Sequence, residues 1–130
     1  MLKKNIKYTD FDGNEKSKDF YFNLSKGELI EIEMSANGGL LNTIQAIIDA
    51  GDNARLFSKF KEIVLQSYGV KSPDGERFIK SKELSESFEQ SNAYSELMME
   101  LCTNADAASV FVNGIMPAEQ RPSVDPATRK

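Results

Sequence analysis

The segment Asp10-Phe11-Asp12-Gly13-Asn14 sets oxygen-bearing side chains at alternate positions, the opening of a pattern that in a calcium loop would hold a hard cation. The pattern stops short. Its glycine arrives two positions before a calcium loop needs one and no bidentate glutamate follows at the twelfth place, so these residues are read as turn chemistry. The chain has no histidine. That removes the usual general base, the commonest metal ligand and every Ser/His or Cys/His nucleophile arrangement. No catalytic, cofactor-binding or metal-ligating residue is assigned, and the chain is not expected to be an enzyme.

Other reactive types have structural readings. Cys102 sits at the margin of a predicted helix, beside no expected cation or helix N-terminus that would activate it, and is read as a packing residue. Gly38-Gly39 precedes a helix but lacks the Lys-Ser/Thr and the preceding strand of a phosphate cradle, so it is a helix break. Glu31 with Glu33, and Glu83 with Glu86, fall on helix faces without a partner to separate their acidities and are read as solvated. Methionine is the remaining candidate, because its flexible, polarisable side chain suits adaptable binding surfaces. Met34 and Met98 are read as core filling. Met99 falls off the apolar stripe of its helix and Met116 stands near the end of the last helix, which makes these two the candidate partner-binding residues.

The 130 residues suit one domain, and a formal charge of -4 with acids and bases interspersed argues against a grip on nucleic acid. Lys3, Lys4 and Lys7 are read as a solvated strand end. A single cysteine rules out an internal disulfide and fits a reducing compartment. No apolar run approaches the roughly 20 residues of a membrane span, and MLKKNIKYTD lacks the apolar core of a signal peptide. A cytosolic protein with no membrane partner is expected.

The elements that position these residues follow from hydrophobic period. Ile6 and Tyr8 alternate with Lys7 and Thr9, and Phe20, Phe22 and Leu24 alternate with Tyr21 and Asn23, so strands near 5–10 and 17–24 form a hairpin turning at Asp12-Gly13. A two-residue turn would set Ile6 opposite Asp19. A three- or five-residue loop would set it opposite Phe20 or Phe22, so the longer loop is expected, with Gly13 or Asn14 left-handed. Ser25 and Glu28 make a capping box that opens the first helix, carrying Leu29, Ile30, Ile32 and Met34.

Asn37-Gly38-Gly39 breaks that helix, and Leu40, Leu41, Ile44, Ile47 and Ile48 stripe a second one ended by Gly51. Asp52 or Asn53 caps a third, with Leu56, Phe57, Phe60, Ile63, Val64 and Tyr68 on one face and Gly69 closing it. Ser72-Pro73-Asp74-Gly75 is a turn, followed by a short extended piece at 77–79. Ser81 caps a helix with Leu84 and Phe88. Ser91 or Asn92 starts another with Ala93, Tyr94, Leu97, Met98 and Leu101 inward. Thr103 and Asp106 make an approximate capping box for the last, carrying Ala108, Phe111, Val112 and Ile115 and stopped by Pro117.

The expected fold is α+β, mainly α. An N-terminal β-hairpin over about 5–24 packs on a bundle of five or six short helices within 26–116, in a single globular domain spanning 1–117. Residues 118–130, proline-bearing and poor in apolar side chains, are expected to form a disordered, flexible tail.

In succession, KYTDFDGNE (7–15), DFYFNLSKGEL (19–29), the Gly38-Gly39 break, YGVKSPDGERFIKS (68–81) and AYSELMMEL (93–101) resemble the tail assembly chaperones of long-tailed bacteriophages, in particular phages of Gram-positive bacteria. The resemblance runs from about residue 5 to Pro117. It implies a virion morphogenesis factor, made late in the host cell cytoplasm, that coats the helical tape measure protein during tail assembly and is absent from the mature virion. It also implies self-association and a longer frameshifted form of the same protein. Alternatives are a generic helical protein-protein interaction adaptor, separable by whether a tape measure gene lies just downstream, and a minor structural tail protein, separable by its presence in purified particles.

Overall fold

A computed structural model of the protein describes residues 1–34 and 39–117, without the side chains of Glu33, Met34 and Leu41. The expected break at Asn37-Gly38 and the expected tail at 118–130 lie outside these residues. Chain order is β1 (Leu2–Thr9), β2 (Glu15–Phe22), α1 (Lys26–Met34), α2 (Leu40–Asp49), α3 (Asn53–Ser67), β3 (Tyr68–Lys71), β4 (Phe78–Ile79), α4 (Lys82–Glu89), α5 (Asn92–Thr103) and α6 (Ala105–Ile115). The mainly helical α+β architecture with an N-terminal hairpin is as expected, but the ribbon is part of a four-stranded antiparallel sheet ordered β1-β2-β3-β4.

The hairpin turns through residues 10–14. One carboxylate oxygen of Asp10 accepts from the amides of Asp12 and Asn14 at 3.0 and 2.9 Å, and Gly13 takes a positive φ of 85°. Because Asp10 gathers these amides, the loop is centred on Asp12 and the register differs from expectation. Ile6 stands opposite Lys18, while Phe20 and Phe22 stand opposite Lys4 and Leu2. The slip is an even number of residues, which in a period-two strand leaves every side chain on its intended face. Ile6 is therefore buried, covered by α5 rather than by an aromatic cross-strand partner.

The second correction is β3. The third helix stops at Ser67, whose carbonyl accepts from the Asn23 amide at 2.7 Å, and Tyr68 already has extended dihedrals. Gly69 thus pairs with Tyr21 inside a strand instead of closing a helix. A Cβ at Gly69 would stand 2.7 Å from the Ile79 carbonyl oxygen and 2.7 Å from the Phe78 ring, so glycine is what lets β3 and β4 approach. The intervening turn is as expected, with the Gly75 amide donating to the Ser72 carbonyl at 2.9 Å.

The inner sheet face meets α4, α5 and α6 over an aromatic centre. The Phe22 ring lies 5.1 Å from Phe111 and 5.7 Å from Phe88 in edge-on geometry, and Phe88 stacks on Tyr68 at 4.5 Å. Ala93, Tyr94, Leu97, Met98 and Leu101 of α5, and Ala108, Phe111, Val112 and Ile115 of α6, are all buried as their spacing predicts. Other stripes are only partly absorbed: Ile30, Ile48 and Phe57 remain exposed.

Helix starts follow the predicted caps at Ser25, Asp52, Ser81 and Ser91. The last helix is the exception. Asn104, not Thr103, accepts from the Ala107 amide, at 3.0 Å, while Thr103 stays in α5 and donates its hydroxyl to the Met99 carbonyl. A short carboxamide one residue nearer the helix satisfies the free amide directly, so the Thr103–Asp106 pairing is not used.

Candidate functional site

The two sequence-predicted contact residues have opposite surroundings. Met99 is 65% exposed on the outward face of α5, between the positions that bury Leu97, Met98 and Leu101. Met116 is 4% exposed and belongs to the central hydrophobic cluster. The structure thus places Met116 in the core of the single chain, not off the core stripes where its reading as a contact residue set it. After α6 ends at Ile115 the backbone turns extended at Met116, which directs the chain back to the core instead of continuing the helix outward.

A further apolar side chain lies on the α5–α6 pair. Val110 is exposed on α6 and lines a shallow groove of about 280 Å³ with Leu2, Lys4, Glu100, Asn104 and Phe111. The signal was present in the sequence: Val110 falls off the 108-111-112-115 stripe just as Met99 falls off its own. At the groove's rim the Lys4 ammonium pairs with Glu100 at 3.0 Å, so one of the three N-terminal lysines is tied to a helix.

A second polar junction joins α1 to the segment before α4. The Ser25 amide donates to the Glu28 carboxylate at 2.8 Å and the Glu28 amide to the Ser25 hydroxyl at 3.2 Å, the reciprocal pattern expected. Lys80, which sequence reasoning did not single out, donates to that same carboxylate and to the Asn23 carbonyl, each at 2.6 Å. Burial works to raise the Glu28 pKa, but the Lys80 ammonium and the Ser25 amide outweigh it and hold the carboxyl below its ordinary value. The contacts are structural: they fasten the β2–α1 corner.

The remaining reactive types are placed as packing or turn elements. Cys102 is half-buried, and burial pushes its thiol up, away from the thiolate. Burial likewise raises the Tyr68 and Tyr94 hydroxyls. Glu31, Glu83 and Glu86 are exposed. Among the described residues no group of three or more His, Cys, Asp or Glu side chains could hold a metal ion, and no helix is long and apolar enough to cross a membrane.

The arrangement is a packed aromatic core with isolated apolar side chains presented outward from short helices. Compared with known families, the chain matches the model of a phage tail assembly chaperone over residues 1–128. No curated protein and no solved structure matches it.

Proposed function

The chain belongs to the phage tail assembly chaperone family, and we propose that it binds and solubilises the tape measure protein while the tail is built and is then released, leaving it absent from the virion. The observation that carries this reading is the family match across nearly the whole chain. The helical client implied by the resemblance is compatible with a surface that presents apolar side chains off the core stripes, Met99 foremost, because an amphipathic helix is recognised through its apolar face. Modest affinity at each contact, multiplied over many copies along a long client, allows both coating and release. Self-association, a longer frameshifted form and action in the host cell cytoplasm belong to the same proposal, as does a role without catalysis.

Co-expression with the tape measure protein encoded by the same phage tests it. The client is expected to become soluble and to co-purify with the chaperone, and purified particles are expected to lack the chaperone. A client equally soluble alone, or a chaperone retained in washed virions at fixed stoichiometry, would reject the reading.

A further inference from the structure

The outer strands of the sheet are β1 and β4, and they differ; β2 also has no strand partner among the described residues on its β3 side before Tyr21. β4 spans only Phe78–Ile79, too short to template another strand. β1 runs from Leu2 to Thr9, and its only strand partner among the described residues is β2. Which of its backbone groups face outward follows from the ladder. The Asp10 amide donates to the Asn14 carbonyl, so residues 10 and 14 form a hydrogen-bonded pair, and the alternation makes Tyr8, Ile6, Lys4 and Leu2 the residues bonded to β2. The amides and carbonyls of Lys3, Asn5, Lys7 and Thr9 consequently point away from the sheet. The Thr9 carbonyl bears this out, since it accepts from the Asn92 side chain of α5 at 2.8 Å. Asn92 closes that end; Lys3, Asn5 and Lys7 lie along the open stretch, with exposed side chains.

The side chains select the guest. Lys3 and Lys7 flank Asn5 on the outer face of the strand, and no carboxylate occurs between Met1 and Thr9. A second copy pairing antiparallel about Asn5 would set Lys3 of each copy against Lys7 of the other, an unfavourable like-charge opposition. A guest with carboxylates at those two positions, four residues apart, meets both ammonium groups instead. Its side chains opposite Lys4 and Ile6 would fall on the inner face, beside Glu96 and Glu100 of α5, which lie along β1 near Lys7 and Lys4. Those positions call for uncharged residues.

We propose that the edge of β1 left without a strand partner among the described residues is a strand-addition site for an extended segment of another protein that carries two acidic residues four positions apart. Backbone hydrogen bonds to Lys3, Asn5 and Lys7 hold the guest, and the two lysines set its charge pattern and bar self-pairing. The site is separate from the outward face of α5 and does not depend on the tape measure reading.

The test uses the full chain and two capped peptides, one with the core Glu-Val-Thr-Val-Glu and one with lysine in place of each glutamate. The glutamate peptide is expected to bind, to shift the amide resonances of Lys3, Asn5 and Lys7 above all others, and to weaken with added salt. The lysine peptide is expected not to bind. Replacing both residues, Lys3→Glu with Lys7→Glu, is expected to lower affinity for the glutamate peptide about tenfold, two attractive cross-strand pairs becoming repulsive. Equal binding of the two peptides, resonance shifts centred elsewhere, or no binding at millimolar peptide would each overturn the proposal, and the amide map on the unaltered protein decides even if the double variant folds poorly.

Discussion

The α5–α6 and α1–α2 pairs are built from similar short amphipathic segments, yet they finish differently. Each apolar position predicted inward on α5 and α6 is buried, because these helices lie against the sheet and the aromatic cluster of Phe22, Phe88 and Phe111. On α1 and α2, Leu29, Ile32, Leu40 and Ile44 reach the same core, but Ile30 and Ile48 stay in water and Ile47 is buried outside the central cluster. α2 packs chiefly on α3, and α1 is held through polar ties: the Ser25–Glu28 cap and the Lys80 ammonium. A stripe is fully absorbed only where a surface broad enough to cover it exists. At the periphery the same pattern leaves apolar side chains exposed, and electrostatics supplies part of the hold.

The contrast can be broken most forcefully at its centre. Phe22 is fully buried against Phe88, Phe111 and Tyr68, so Phe22→Ala is expected to cost about 3–5 kcal/mol in denaturant unfolding. A loss near that of an exposed residue would mean that the sheet face is open and the two helix pairs are not so different. Gly69→Ala comes next. The added methyl would press on the Ile79 carbonyl and the Phe78 ring, with an expected loss of about 1–3 kcal/mol and weakened protection of the β3–β4 amides in hydrogen exchange.

At the periphery, Ser25→Ala removes one arm of the cap and is expected to cost about 1 kcal/mol. The same corner carries a pH signature. The Glu28 carboxyl is held below its ordinary value near 4.5, so its contribution is complete above that value and is lost as pH falls through the lower, folded-state value. Unfolding measured between neutrality and acid should show a Lys80-dependent loss in that range, and Lys80→Met should flatten it. A pH dependence unchanged by Lys80→Met would show that α1 is held by packing after all.

The smallest effect on folding is expected at Met99. Its side chain is mostly in water, so Met99→Lys should change stability by less than about 0.5 kcal/mol while circular dichroism stays unchanged. Under the proposed function the same variant should lose co-purification with the tape measure protein, because a client would have to desolvate the new charge. Retained co-purification would remove Met99 from the contact face and leave the exposed apolar residues of α1 and α2 as the surface to probe.

Much of this architecture was legible because its causes are local. The reciprocal Ser25–Glu28 cap, the Asp52, Ser81 and Ser91 starts, the left-handed Gly13 and the inward faces of α5 and α6 each depend on residues within one or two turns of chain. The missed features depend on partners far away in sequence. Gly69 reads as a helix stop until Phe78 and Ile79 come to lie against it. Lys80 carries no signal in the sequence until the fold brings it to Glu28. Met116 reads as the outward end of a helix until the chain turns back to the core.

Hydrophobic period and cap chemistry by themselves determined the helices of the described residues, the hairpin and the face each hairpin strand would bury, while the succession of segments carried the resemblance to the family. Only the tertiary structure decided the hairpin register, the pairing of β3 and β4 into the sheet, which apolar residues at the stripe margins remain exposed and which strand edges lack a partner among the described residues. The physical reason is that faces are set by side-chain alternation along the chain, whereas register, coverage and edges are set by what packs against those faces from elsewhere.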